Sequence, residues 1–218
     1  LRVSVLENAE RPLKRQLDPE ASRLLLEIAA ERGVEIITGA ETLEIEGGAH
    51  VEGLRLKDGR RLKAQLVVIS AGVRANTAVL AAAGGKVARA AVIDAHCRTN
   101  LPHVYACGDC AEFEGVNFSI WPEAARQGEV AGANAAGEAL AYENLRPGLS
   151  LFTLDTALYA YGDTGADPNR QYDIRRETDA ARRSMRTRIY AGGRLVGAIL
   201  IGDLQGMEAL ENEIKGLA

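Results

Sequence analysis

Thr99-Asn100-Leu101-Pro102-His103-Val104-Tyr105-Ala106-Cys107-Gly108-Asp109 is the stretch on which the fold turns. Residues 104–107 read as a strand, and the strand stops at Gly-Asp. Glycine lets a ligand touch backbone where a side chain would stand in the way. The aspartate that follows can accept hydrogen bonds from sugar or polyol hydroxyls. Ligands of open α/β sheets bind at the carboxyl ends of the strands. A bare Gly-Asp reads more simply as a turn; the whole string is more specific.

Downstream, Trp121-Pro122-Glu123-Ala124-Ala125-Arg126-Gln127-Gly128 opens a stretch to residue 140 that is rich in alanine and glycine. It predicts a helix packed closely on a sheet. Upstream, Leu66-Val67-Val68-Ile69-Ser70 predicts a buried parallel strand ending at Ala71-Gly72. Residues 76–83 read as a short helix ended by Gly84-Gly85, and residues 92–99 as extended. Between residues 41 and 63 three alternating segments are separated by Gly47-Gly48 and Asp58-Gly59. Those dipeptides are hairpin signals, so a three-stranded antiparallel meander is expected.

The chain opens with Val3-Ser4-Val5-Leu6, a run suited to a buried parallel strand, followed by Glu7. A helix should start near Asp18-Pro19-Glu20, with aspartate as N-cap and proline in the first turn. Ala21, Leu24, Leu25 and Ile28 give it one apolar face, and Gly33 ends it. Val34-Glu35-Ile36-Ile37 follows as the next strand, completing a β-α-β unit and implying a parallel sheet. A chain that begins inside a core strand is expected to have lost its front; the alternative is a chain that simply starts at a strand. Past Pro147-Gly148 the strands 149–161, 172–178, 185–190 and 195–201 and a helix over 204–217 predict a small α+β domain.

Bulk properties narrow the function class. The 218 residues are 47% hydrophobic and 26% charged, with a net charge of −4. No basic block marks a nucleic-acid surface, no apolar run spans a membrane, and no signal peptide opens the chain. The three cysteines are too few for a disulfide framework, and a cytoplasmic protein is expected.

The strings from Val67-Val68-Ile69-Ser70-Ala71-Gly72-Val73 through Cys107-Gly108-Asp109 to Trp121–Gly128, in that order, resemble the pyridine nucleotide-disulfide oxidoreductase superfamily. The resemblance covers essentially the whole chain. Residues 149–218 are similar to the short C-terminal domain of NADH:rubredoxin reductases, of the flavin part of assimilatory nitrite reductases and of some NADH oxidases. The fold class implied is α/β: the C-terminal parts of two Rossmann-like dinucleotide-binding domains, parallel sheet plus meander, followed by the α+β domain. The divisions implied are residues 1–77 for NAD(P)H, 78–147 for FAD and 148–218 for the C-terminal domain. Gly108 and Asp109 would meet the ribitol of FAD, and Trp121 and Pro122 the flavin. Glu7, Gly72 and Val73 would meet NAD. An acid at position 7 suits the ribose 2′-hydroxyl and favours NADH, with Arg11 nearby as a counter-signal.

The resemblance implies hydride transfer from NADH to FAD, with electrons passed to rubredoxin or another redox protein, a downstream reductase domain or oxygen. It also allows a homodimer. The cofactors carry such chemistry, and no acid–base catalyst and no metal site are assigned. Neither glycine fingerprint is in the chain; both would precede Leu1, so the fragment alone is expected to be inactive. The alternative is a non-catalytic binding or assembly module whose flavin half comes from another chain or has been lost. A redox dithiol of the disulfide-reductase type is absent.

Cys107-Gly108-Asp109-Cys110 has dithiol or half-zinc spacing, but a structural reading takes precedence because the superfamily needs small residues around Gly-Asp. His96 and Cys97 are read as strand residues. Trp121 is open between core and flavin edge. The Arg182-Arg183 and Arg186 cluster is read as a solvated face, with docking of an acidic partner the weaker alternative.

Overall fold

The computed structural model describes residues 1–144 and 147–217. The chain falls into two compact units, Leu1–Val68 with Pro147–Ala218, and Ile69–Arg146.

In the first unit, β1 (Val3–Leu6) and β2 (Val34–Ile37) pair in parallel around helix α1 (Pro19–Glu31). The start of α1 follows its expected chemistry: the Asp18 carboxylate accepts the Ala21 N–H at 2.8 Å, and Pro19 fills the first turn. Gly33, at φ 72°, lets the chain leave the helix. Next comes the meander β3 (Thr42–Gly47), β4 (Val51–Leu56) and β5 (Arg61–Lys63), antiparallel in that order. It forms where Gly47-Gly48 and Asp58-Gly59 predicted. Glycine at 47 is needed because φ is 139° and a Cβ there would sit 2.1 Å from the His50 carbonyl oxygen.

Two expectations fail in this part of the chain. Val3 and Val5 stay 44% exposed, so β1 is a half-covered strand. Residues 66–70 form no strand at all: Leu66, Val68 and Ile69 are 78, 80 and 74% exposed. The physical reason is pairing. Among the described residues no strand lies alongside them, and an apolar run without a partner for its N–H and C=O groups cannot become sheet interior.

The second unit holds α2 (Ala78–Ala82), β6 (Ala91–Ile93), β7 (Ala111–Phe113) and α3 (Trp121–Ala135). β6 and β7 pair in parallel. Residues 104–107 were expected as a strand running into Gly-Asp and a helix. They make only an isolated bridge, Arg98 to Tyr105, and Gly108–Cys110 is a 3-10 turn that leads into β7. The core is Ile93, Cys97, Ala111, Phe113, Val130 and Tyr142.

Returning to the first unit, β8 (Leu149–Thr153), β9 (Thr156–Gly162), β10 (Asp173–Asp179), β11 (Ser184–Ala191) and β12 (Arg194–Ile201) form one antiparallel sheet in the order β10-β11-β12-β9-β8. Helix α4 (Met207–Lys215) follows. Residues 149–161, expected as one strand, are a hairpin. Leu154 and Asp155 carry φ of 54° and 53° between the paired Thr153 and Thr156, a two-residue turn with both central residues left-handed. Neither glycine nor asparagine marks it, so the turn is hidden in the sequence.

Both faces of this sheet are covered. Ala21, Leu25 and Ile28 of α1 pack on Ile199 and Ile201, while Leu210 of α4 packs on Ala198 and Leu200. Neighbouring residues of β12 therefore enter opposite cores, which is why the strand reads as a continuous apolar run. Burying each such leucine or isoleucine contributes roughly 1.5–3 kcal/mol. Arg176 of β10 also forms an ion pair with the buried Asp18, tying the sheet to the α1 cap.

Candidate cofactor site

The Gly108–Asp109 turn is built by local necessity. Cys107 is extended, with φ −152° and ψ 164°, and the chain reverses through Gly108 at φ 71°. A side chain there would be strained by the backbone angle; the Ala124 Cβ, 3.4 Å away, is an ordinary contact. The Gly108 N–H donates to Gln127 Oε1 at 2.8 Å. Asn117 Nδ2 donates to the Asp109 carbonyl at 2.9 Å and the Ala111 carbonyl at 2.7 Å. The Asp109 side chain is exposed and has no partner among the described residues. A free carboxylate on a rigid turn is an acceptor ready for hydroxyl donors.

Helix α3 begins in the same unit. Its N-cap, Ile120, offers no side chain to the first-turn N–H groups, and Pro122 lies in the first turn. The helix therefore presents an uncapped positive end. Trp121 is 86% exposed and lies outside the core of its unit. On the inner side of α3, Glu123 and Gln127 are buried one turn apart. The Tyr142 hydroxyl donates to Glu123 and lies 3.0 Å from Asn144 Oδ1. Burial, and then the Glu123 carboxylate beside it, push the Tyr142 hydroxyl well above the ordinary tyrosine range.

Two of the thiols, Cys97 and Cys107, are held in their protonated form by burial. Cys97 is fully buried and donates to the Gln127 carbonyl at 3.5 Å; desolvation pushes its pKa up to about 11. Desolvation first, and the neighbouring Cys110 second, raise that of Cys107. A reactive thiolate needs the opposite shift. The His96 ring Nδ1 lies 2.9 Å from the Leu140 carbonyl, a backbone tie.

The nucleotide residues divide between the units. Glu7, just past β1 in the first unit, donates its N–H to the Ile37 carbonyl at 3.0 Å. Its Oε1 accepts the Ala9 N–H at 2.8 Å. Arg11 pairs with Glu10 at 2.7 Å. Gly72, at φ 82° with nothing within 4 Å of a Cβ position, and the exposed Val73 lie in the second unit. Gly108, Asp109, Trp121 and Pro122 all share that second unit.

The arginine cluster is spoken for: Arg182 pairs with Asp179, Arg183 with Glu27 and Glu31, and Arg186 donates to the Gln205 carbonyl. Residue-by-residue reading missed Gln127, Asn117, Tyr142 and Glu112. Glu112 is buried and accepts the Arg89 and Ala90 N–H groups at 3.0 and 3.2 Å. Of these, Gln127 alone lay inside a string already singled out; nothing in the sequence pattern marked the others.

Residues 1–128 match the family described as pyridine nucleotide-disulphide oxidoreductase. The chain belongs to this family. The family is one of oxidoreductases that use FAD and NAD(P)H. This flavoprotein-family chain is 32% identical over 203 residues to a nitrite reductase [NAD(P)H] of Bacillus subtilis, covering 92% of the chain and 25% of that protein. It is 30% identical over 154 residues to an NADH-rubredoxin oxidoreductase of Clostridium acetobutylicum, covering 71% and 37%. Among solved structures it is similar to the ferredoxin reductase for the CYP199A2 system of Rhodopseudomonas palustris, with TM-score 0.76, 31% identity and coverage of 93% and 50%. The chain thus spans about a quarter to a half of the proteins it matches. Among the described residues no helix is long and apolar enough to cross a membrane.

The turn and helix fit FAD. Gly108 leaves room for close approach, Asp109 offers an unpartnered acceptor, and the uncapped α3 end favours negative charge.

Proposed function

We propose that this chain is the C-terminal half of an FAD-dependent NAD(P)H oxidoreductase that passes electrons to a redox protein, a downstream reductase domain or oxygen. The observation that carries the reading is the free Asp109 carboxylate on the Gly108 turn. When bound, NADH and FAD supply hydride and electron transfer. The chain's own residues bind and orient. Asp109 accepts hydrogen bonds from the ribitol hydroxyls, and Gly108 leaves the backbone open to them. The first turn of α3 sets a positive partial charge toward the flavin, with Trp121 and Pro122 at its edge. Glu7 accepts from the nucleotide ribose, and Gly72-Val73 line the nicotinamide side.

NADH is preferred over NADPH, because the Arg11 guanidinium is engaged by Glu10 rather than free for a 2′-phosphate. In this reading residues 1–77, 78–147 and 148–218 descend from the NAD(P)H, FAD and C-terminal domains. The bare run Leu66, Val68 and Ile69 then pairs with strands of the preceding half. Three free thiols suit a reducing compartment such as the cytoplasm.

Intact mass with a visible absorption spectrum tests this directly. The full-length polypeptide is expected to show flavin bands; a full-length protein that stays colourless after FAD titration overturns the oxidoreductase reading. The 218-residue chain alone is expected to bind FAD weakly or not at all. Stoichiometric tight uptake by that chain would overturn its assignment as an incomplete half.

A further inference from the structure

The flavin turn has no ladder to hold it. β7 begins only at Ala111, and upstream the last backbone tie is the Ala106 N–H to the Cys97 carbonyl at 3.0 Å. Two side chains take over. Gln127, 5% exposed, accepts the Gly108 N–H, and Asn117 gathers the Asp109 and Ala111 carbonyls from the other side. Gln127 is buried one helical turn from Glu123, whose carboxylate takes the Tyr142 hydroxyl's hydrogen bond. Tyr142 is wedged edge-on against Phe113, with ring centroids 5.3 Å apart at 71°. The chain of contacts runs from a packed aromatic pair, through α3, to the peptide that presents Asp109.

We propose that Gln127 and Asn117 are positioning residues for FAD, holding the Gly108–Asp109 turn in register so that the Asp109 carboxylate stands where the ribitol hydroxyls can reach it. The proposal rests on the flavin reading above. Both residues act through the turn and touch no reacting atom. Without Gln127 the half-buried Gly108 N–H loses its partner, and a donor left unpaired there favours rearrangement of the turn. Without Asn117 two carbonyls on the far flank are released.

The test is a double-mutant cycle on FAD affinity, measured by flavin fluorescence in the full-length polypeptide, with the melting temperature of each apoprotein alongside. Asp109→Asn is expected to weaken FAD binding about tenfold or more, and Gln127→Leu about tenfold, each tenfold being one step of the affinity scale. The double variant should be within about threefold of Asp109→Asn alone, because a turn out of register has no carboxylate contact left to lose. A general loss of stability would lower the melting temperature without producing that coupling. Gln127→Leu within about twofold of wild type, or effects that multiply in full, overturns the proposal and leaves the flavin reading standing. Asp109→Asn without effect on FAD affinity overturns the flavin reading and the proposal with it. If Gln127→Leu does not fold, the half-exposed Asn117→Ala carries the same cycle, with an expected loss of about tenfold and a double variant again within about threefold of Asp109→Asn.

Discussion

Leu195–Ile201 and Leu66–Ile69 are equally apolar runs with opposite fates. The first is β12, hydrogen-bonded to β11 and β9 and covered by α1 on one face and α4 on the other. The second is bare. Hydrophobicity creates the same demand in both; pairing and cover decide whether it is met. The difference explains how the chain can hold a well-packed C-terminal sheet while leaving Leu66, Val68 and Ile69 exposed.

Four measurements sharpen or break that comparison. The largest effect is expected for Ile199→Ala, which empties a site between α1 and the sheet. It should destabilise the chain by about 2–5 kcal/mol in denaturant unfolding, and a loss below about 1 kcal/mol would mean the two-sided core is loose. Next is alkaline pH, which extends the comparison to the second unit. The Cys97 pKa is raised in the folded state, so its stabilising contribution is full below about 9 and is lost as pH rises toward about 11. That is worth of order 2 kcal/mol, read as a steeper fall in the unfolding midpoint for wild type than for Cys97→Ala. Asp18→Ala removes the α1 cap and the buried partner of Arg176 together, and should cost about 1–2 kcal/mol. Val68→Ala in the 218-residue chain should change stability by less than about 0.5 kcal/mol. In the full-length polypeptide the same change should cost more, because the proposed pairing buries Val68. Equal effects in both would break the account of why the run is bare.

Legibility followed the range of the interaction. The cap at Asp18 with Pro19 and the turns at Gly47-Gly48 and Asp58-Gly59 depend on neighbours a few residues away, and all are present; the β-α-β unit was legible from the order of three consecutive elements, though its strands pair Val3 with Val34. The Leu154-Asp155 turn escaped because two ordinary residues take left-handed angles under the pull of the strands they join. In the candidate site, Gly108 and Asp109 were visible as a motif. Gln127 lay in a quoted string but its role was not legible, since an amide 19 residues beyond a glycine carries no local sign that it will meet that N–H, and Asn117 was unmarked.

Sequence alone determined the superfamily and the order of its motifs. Those are properties of short strings, and short strings survive without their surroundings. Tertiary structure alone decided that α1 shares a core with the C-terminal sheet, that Cys97 and Cys107 are desolvated, and that the Gly108 N–H meets Gln127 while Asn117 meets the Asp109 and Ala111 carbonyls. Burial and hydrogen-bond partnership are relations between distant residues, and they exist only once the chain has closed around them.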